Sequence, residues 1–143
     1  MTADSLVRDP LRAPVRVAAV LGFLGVGLGA FGAHGLKGAL EAQGLGAAQM
    51  LERMDWWETA AFYHLIHAVV LAVGGVVCAL SGRRSTGLTV CLALGVTIFS
   101  GTLYGMALGA PRWFGAITPV GGVLLMAGWV TLFLACRGNA ADR

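Results

Sequence analysis

The stretch TAAFYHLIHAVVLAVGGVVCALSG, Thr59–Gly82, carries no formal charge. About 20 apolar residues at about 1.5 Å rise each cross a hydrocarbon core about 30 Å thick. A helix satisfies its own backbone hydrogen bonds, which is the condition for entering lipid. Three further stretches have the same character: Val17–Leu36, Ser85–Pro111 and Trp113–Cys136. The charges lie in the breaks between them. The predicted fold class is all-α, an integral membrane four-helix bundle. Its spans fall at about 17–36, 59–81, 86–109 and 118–136, with a tail over 1–16 and another over 137–143.

Composition agrees. Apolar residues make up 57% of the 143-residue chain and charged residues 12%, about half the usual 25% of soluble domains. A short soluble domain must cover a large surface with polar groups. Lipid removes that demand. The net charge of +3 is modest and no Lys/Arg block occurs, so no nucleic-acid partner is expected. Cys78, Cys91 and Cys136 lack CxxC spacing and lie in apolar runs, so they read as small core residues.

An even number of spans puts both termini on one side. That side collects Arg8, Arg12, Arg16, Arg83, Arg84, Arg137 and Arg143, against Lys37, Arg53 and Arg112 on the other. The positive-inside rule then places both termini in the cytoplasm and the chain in the cell (inner) membrane. Trp56, Trp57 and Trp113 are expected at the outer interface, where indoles settle. Basic residues before an apolar run ending in Ala30-Phe31-Gly32 also fit a signal peptide. The small residues recur along the whole run, however, so it reads as a retained span.

Small residues also predict the packing. Ala18, Gly22, Gly25, Gly29 and Ala33 share one helix face, and Gly101, Gly105 and Gly109 form a GxxxGxxxG run. Close backbone approach is what holds helices together in lipid. Gly22, Gly25, Gly29, Gly101 and Gly105 are therefore the expected helix-packing residues. The first loop carries an amphipathic pattern, Ala47, Met50, Leu51, Met54 and Trp57. A straight helix from Ala47 to Leu80 would be about 51 Å long. Its outer part must project, or bend near Asp55 and lie on the membrane surface. Thr118-Pro119 reads as an N-cap followed by the first helical residue.

Polar residues gather in the outer half: His34, Tyr63, His64, His67, Ser100, Tyr104 and Thr118, with Thr97 nearby. Such residues tend to face a bundle interior and to bond between helices. His64 and His67, at i and i+3, could ligate metal or haem. Their only acidic neighbour is Glu58, near the edge, and metal needs three or four ligands. No metal or other cofactor is expected. A structural network is the first reading of the cluster, and a ligand or quinone-like pocket the second. Neither a catalytic triad nor a phosphate loop occurs, so no catalytic residue is assigned.

The strings GAFGAHGLK (Gly29–Lys37), TAAFYHLIHA (Thr59–Ala68), FSGTLY (Phe99–Tyr104) and TPVGG (Thr118–Gly122) together resemble the YgdD/YwdK-like family of small membrane proteins, a domain of unknown function. The resemblance runs from about Val17 to Trp129. It implies four membrane helices and no established reaction. His34, Tyr63, His67, Ser100, Tyr104, Thr118 and Pro119 match its motifs. The family pattern has Tyr-Gln-x-x-His in the second span. Tyr63 and His67 fit it, and His64 departs from it. The expected function is that of a non-enzymatic accessory or assembly component, in contact with the bilayer and with a larger membrane complex. The alternative is a small transporter or ligand-binding protein that uses the polar cluster.

Overall fold

The computed structural model describes residues 12–137. The expectations for Arg8, for Arg143 and for most of both tails fall outside these residues. Five α-helices follow one another: α1 (Arg12–His34), α2 (Leu36–Glu41), α3 (Ala47–Leu80), α4 (Thr86–Ala107) and α5 (Thr118–Cys136). A 3-10 turn, Arg112–Ala116, precedes α5. No strand occurs among the described residues. α1, α3, α4 and α5 are each long and apolar enough to cross a membrane.

Several boundaries differ from the sequence expectation. α1 begins at Arg12 and runs through Arg16. Long basic side chains at a helix end can reach the interface while the helix continues. α3 is one unbroken helix of 34 residues. It does not break near Asp55, so the amphipathic segment continues the second span as one helix. α2 packs on its N-terminal end, and the Arg112 side chain of the 3-10 turn reaches Glu52 and Trp56 there. Leu36 and Leu40 of α2 are completely buried in a cluster with Trp57, Leu103 and Met106. Thr118 lies inside the first turn of α5, and Ile117 holds the cap position.

Two turns have the same physical cause. Gly82 and Gly109 adopt φ of 63° and 112°, a region that side chains disfavour. Behind each, a paired bond closes the preceding helix: Arg83 N–H to the Cys78 carbonyl with Gly82 N–H to that of Ala79, and Ala110 N–H to Gly105 with Gly109 N–H to Met106. These are Schellman caps. Gly109 therefore ends α4 and takes no part in a packing run.

The spans pack in the order α1, α3, α4, α5, and α3 also touches α5 while α1 touches α4. Among the described residues, α1 and α5 do not meet. The bundle is open along that edge. Only 11% of the apolar part of α1 is buried, against 39% for α3 and for α4.

The glycines in contact between spans are largely not the expected ones. A Cβ at Gly25 would stand 2.8 Å from Leu65 Cδ2 and 3.3 Å from His64 Cδ2. At Gly22, Gly29 and Gly101 it would meet nothing within 4 Å, and at Gly105 only Ala110 and Phe114 at ordinary contact distance. Gly22, Gly29, Gly101 and Gly105 thus make no tight helix contact: α3 meets α1 at Gly25 and Gly32, one edge of its small-residue face, and no neighbouring helix comes within 4 Å of a Cβ at Gly101. The tight seam is between α4 and α5. There Gly95 meets Leu125, Gly121 meets the Phe99 backbone, and Gly128 meets Leu92.

Candidate functional site

α3 and α4 run antiparallel across a short turn. Side chains lean toward the N-terminus of their own helix, so His64 of α3 and Tyr104 of α4 lean toward each other. Their ring centroids are 6.2 Å apart. Ser100 lies one turn from Tyr104 on α4. His64, Ser100 and Tyr104 are 5%, 1% and 8% exposed. Both His64 ring nitrogens, Ser100 Oγ and Tyr104 Oη are buried without a hydrogen-bond partner in the protein.

Neighbouring side chains seal this trio. Trp57, 2% exposed, packs with tilted rings at 4.6 Å centroid distance against Tyr104 and at 5.2 Å against Phe31. Its indole N–H donates to the Leu28 carbonyl of α1 at 3.0 Å. Gly25 gives His64 and Leu65 room against α1.

The other expected site residues fall elsewhere. His67 belongs to a separate, satisfied group. Its Nδ1–H donates to the Tyr63 carbonyl at 2.8 Å, and Trp129 Nε1–H donates to its Nε2 at 3.3 Å. The two bonds suit one neutral tautomer and occupy both nitrogens. His64 and His67 therefore do not converge on one ligand position. Tyr63 is partly exposed and packs on Phe99 and His67. Thr118 Oγ1 shares a 2.8 Å hydrogen bond with Thr102 Oγ1, and Thr102 also donates to the Ile98 carbonyl. His34 is exposed at the end of α1, and Thr97 is exposed and donates to the Ala93 carbonyl. The expected single cluster is thus three groups, with His34 and Thr97 outside all of them. Among the described residues no three His, Cys, Asp or Glu gather as a metal site would require.

Trp57, Trp129 and Thr102 are the residues that sequence reasoning missed. Trp57 was expected at the interface, but it points into the bundle. The stripe it shares with Ala60 and His64 at helical spacing was the available signal. Trp129 is half exposed, and only its N–H reaches inward.

Four apolar helices around buried polar groups define a small multi-pass membrane protein. Residues 28–122 match the family described as "Protein of unknown function (DUF423)", and the chain belongs to that family. The UPF0382 inner membrane protein YgdD of Escherichia coli K12 is 40% identical over 120 residues, 82% of this chain and 83% of that one. The UPF0382 membrane protein SH2409 of Staphylococcus haemolyticus is 39% identical over 119 residues, 83% of this chain and 90% of that one. Neither relative carries an enzymatic description. No solved structure matches the chain.

Proposed function

We propose that this protein is a non-enzymatic accessory component that docks a helix of a partner membrane protein along α1, with both termini in the cytoplasm. The groove between α1 and α3 carries this reading: a space of about 370 Å³ runs between Ala18, Ala19 and Gly22 of the weakly buried α1 and Leu65, Ala68 and Ala72 of α3. Small side chains gain little from lipid but allow a second backbone to approach. A Leu at Gly22 meets open space within the protein. Gly22→Leu should therefore leave the melting of the solubilised protein within about 0.5 kcal/mol of the parent. In native membranes, a photo-crosslinker at Val26 should give one discrete protein adduct, and Gly22→Leu should abolish it. Adducts to lipid alone would overturn the docking reading.

The second reading, an internal ligand site, is favoured by His64, Ser100 and Tyr104. Their unpartnered atoms form one layer, and a water molecule or another small oxygen ligand held there would satisfy them. The sign of one substitution tests this. If the layer is dry, Tyr104→Phe removes a buried unsatisfied hydroxyl and stabilises the protein by about 1–3 kcal/mol. If a ligand is held, the same change costs about 0.5–1.5 kcal/mol, the loss of one hydrogen bond. The expected outcome is a lower melting temperature for Tyr104→Phe in lipid nanodiscs. A higher one would refute the ligand site.

A further inference from the structure

Charge is unevenly distributed between the two ends of the bundle. At the Trp56–Trp57 end the described Lys and Arg residues, Lys37, Arg53 and Arg112, each have a polar partner. Lys37 pairs with Glu41 at 3.8 Å, Arg112 pairs with Glu52 and lies over the Trp56 ring, and Arg53 donates to Gln43 at 2.8 Å. All four described acidic residues, Glu41, Glu52, Asp55 and Glu58, lie toward that end. The opposite end carries Arg12, Arg16, Arg83, Arg84 and Arg137, with no acidic residue among the described ones.

Two of these arginines line a built cleft. Arg83 and Arg84, in the turn between α3 and α4, line a space of about 330 Å³ where the ends of α3, α4 and α5 meet. Its walls are apolar or weakly polar: Cys78, Leu88, Thr131 and Leu134. Arg83 Nη2 donates to the Arg137 carbonyl at 3.1 Å, which holds one guanidinium against the end of α5. Gly87, in the first turn of α4, also lines the cleft, and no side chain caps that turn.

We propose that this cleft binds one anionic phospholipid, with its phosphate between Arg83 and Arg84 and an acyl chain along the α4–α5 seam. The cleft has the two-part chemistry of such a lipid. Guanidinium groups in the lining suit phosphate oxygens, which they can bind through paired N–H donors. The apolar wall suits hydrocarbon. The site lies at the bundle end, the depth at which lipid headgroups sit, and basic pockets between spans are known headgroup sites. A free phosphate would use the arginines and leave the apolar wall unused. The proposal is independent of the docking and ligand-site readings above.

The test uses the full chain in nanodiscs of phosphatidylcholine and phosphatidylglycerol in equal parts, with native mass spectrometry of the released protein. Phosphatidylglycerol should be retained in excess over phosphatidylcholine. Arg83→Gln with Arg84→Gln should lower that excess by about fivefold per arginine. Arg83→Lys with Arg84→Lys should retain part of it, since charge remains and the paired geometry is lost. The side chains are exposed, and unchanged melting would show an intact fold. If the Gln variant melts early, the Lys variant and competition against the parent carry the test. Three results would each overturn the site: equal retention of the two lipids, an equal loss with Arg12→Gln and Arg16→Gln, or displacement of the lipid by inorganic phosphate.

Discussion

Gly121→Ala is expected to separate α4 from α5 and to lower the stability of the solubilised protein by about 1–3 kcal/mol, with Gly121→Leu costing more. A Cβ at Gly121 would stand 2.8 Å from Phe99 Cα and closer still to the Phe99 amide nitrogen. Both are backbone atoms, so no rotamer change relieves the overlap. One helix must shift. The shift spreads along the seam because Gly95 is also close against Leu125: a Cβ there would stand 2.6 Å from Leu125 Cδ2 and 3.0 Å from its backbone nitrogen. Lipid offers no hydrophobic force to restore the contact, so lost van der Waals packing is not recovered. Gly122→Ala is the control. Its Cβ would meet the Phe99 ring at 3.8 Å, an ordinary contact, and should cost less than about 0.5 kcal/mol. Thermal unfolding of the three variants in one detergent decides the matter. Equal melting of Gly121→Ala and Gly122→Ala would mean that the seam is looser than the structure has it.

The four spans were legible because lipid demands long uncharged helices, and Thr59–Gly82 meets that demand without reference to its neighbours. The 34-residue α3 was half legible. No Gly or Pro interrupts Ala47–Val73, which predicts a long helix, but whether its N-terminal end runs straight or bends depends on what covers it. Leu36 and Leu40 do so from α2, a long-range fact that local pattern does not contain. Glycine spacing was a poor guide to packing for a related reason. Gly22, Gly25 and Gly29 share a face on one helix, but which edge of that face meets α3 depends on α3. Likewise Gly121 and Gly128, seven residues apart, become a seam only opposite Phe99 and Leu92.

The candidate site was legible as a depth and not as a grouping. His64, His67, Ser100, Tyr104 and Thr118 all come from the halves of α3, α4 and α5 nearer the Trp56–Trp57 end of the bundle. Side-chain direction then divides them. His67 turns toward Trp129 on α5, whereas His64 turns toward Tyr104 on α4. A three-residue step along α3 rotates the direction by about 300°, or about 60° short of a full turn, which is enough to put the two rings beside different helices. Gln is polar and uncharged like a neutral His, so on the ligand-site reading His64→Gln should preserve the polar layer and His64→Leu should not.

Gly32→Ala should be among the most damaging single-methyl additions in the chain, and Trp57→Ala should cost about 3–5 kcal/mol. A Cβ at Gly32 would lie 2.5 Å from Trp57 Nε1 and 2.6 Å from Cδ1. The indole is buried and held between Phe31 and Tyr104, so it cannot swing away as a flexible chain end would. To make room it must leave the α1 surface and give up its bond to the Leu28 carbonyl. That bond joins the weakly buried α1 to the α3–α4 pair, so its loss should free the C-terminal half of α1. The same displacement removes the lid over Tyr104. Gly25→Ala provides the contrast. Its new methyl would press on the end of Leu65, 2.8 Å from Cδ2, a flexible group that can rotate. Two measurements separate the cases: thermal unfolding, and hydrogen exchange of the α1 amides around Gly32. Gly32→Ala should accelerate exchange at Leu28–Gly32 while Gly25→Ala leaves that segment protected. Trp57→Phe should fall between them, since it keeps the ring contacts and loses only the N–H bond, worth about 0.5–1.5 kcal/mol. Protection at Leu28–Gly32 that survives Gly32→Ala unchanged would show that the indole does not hold α1 to the bundle.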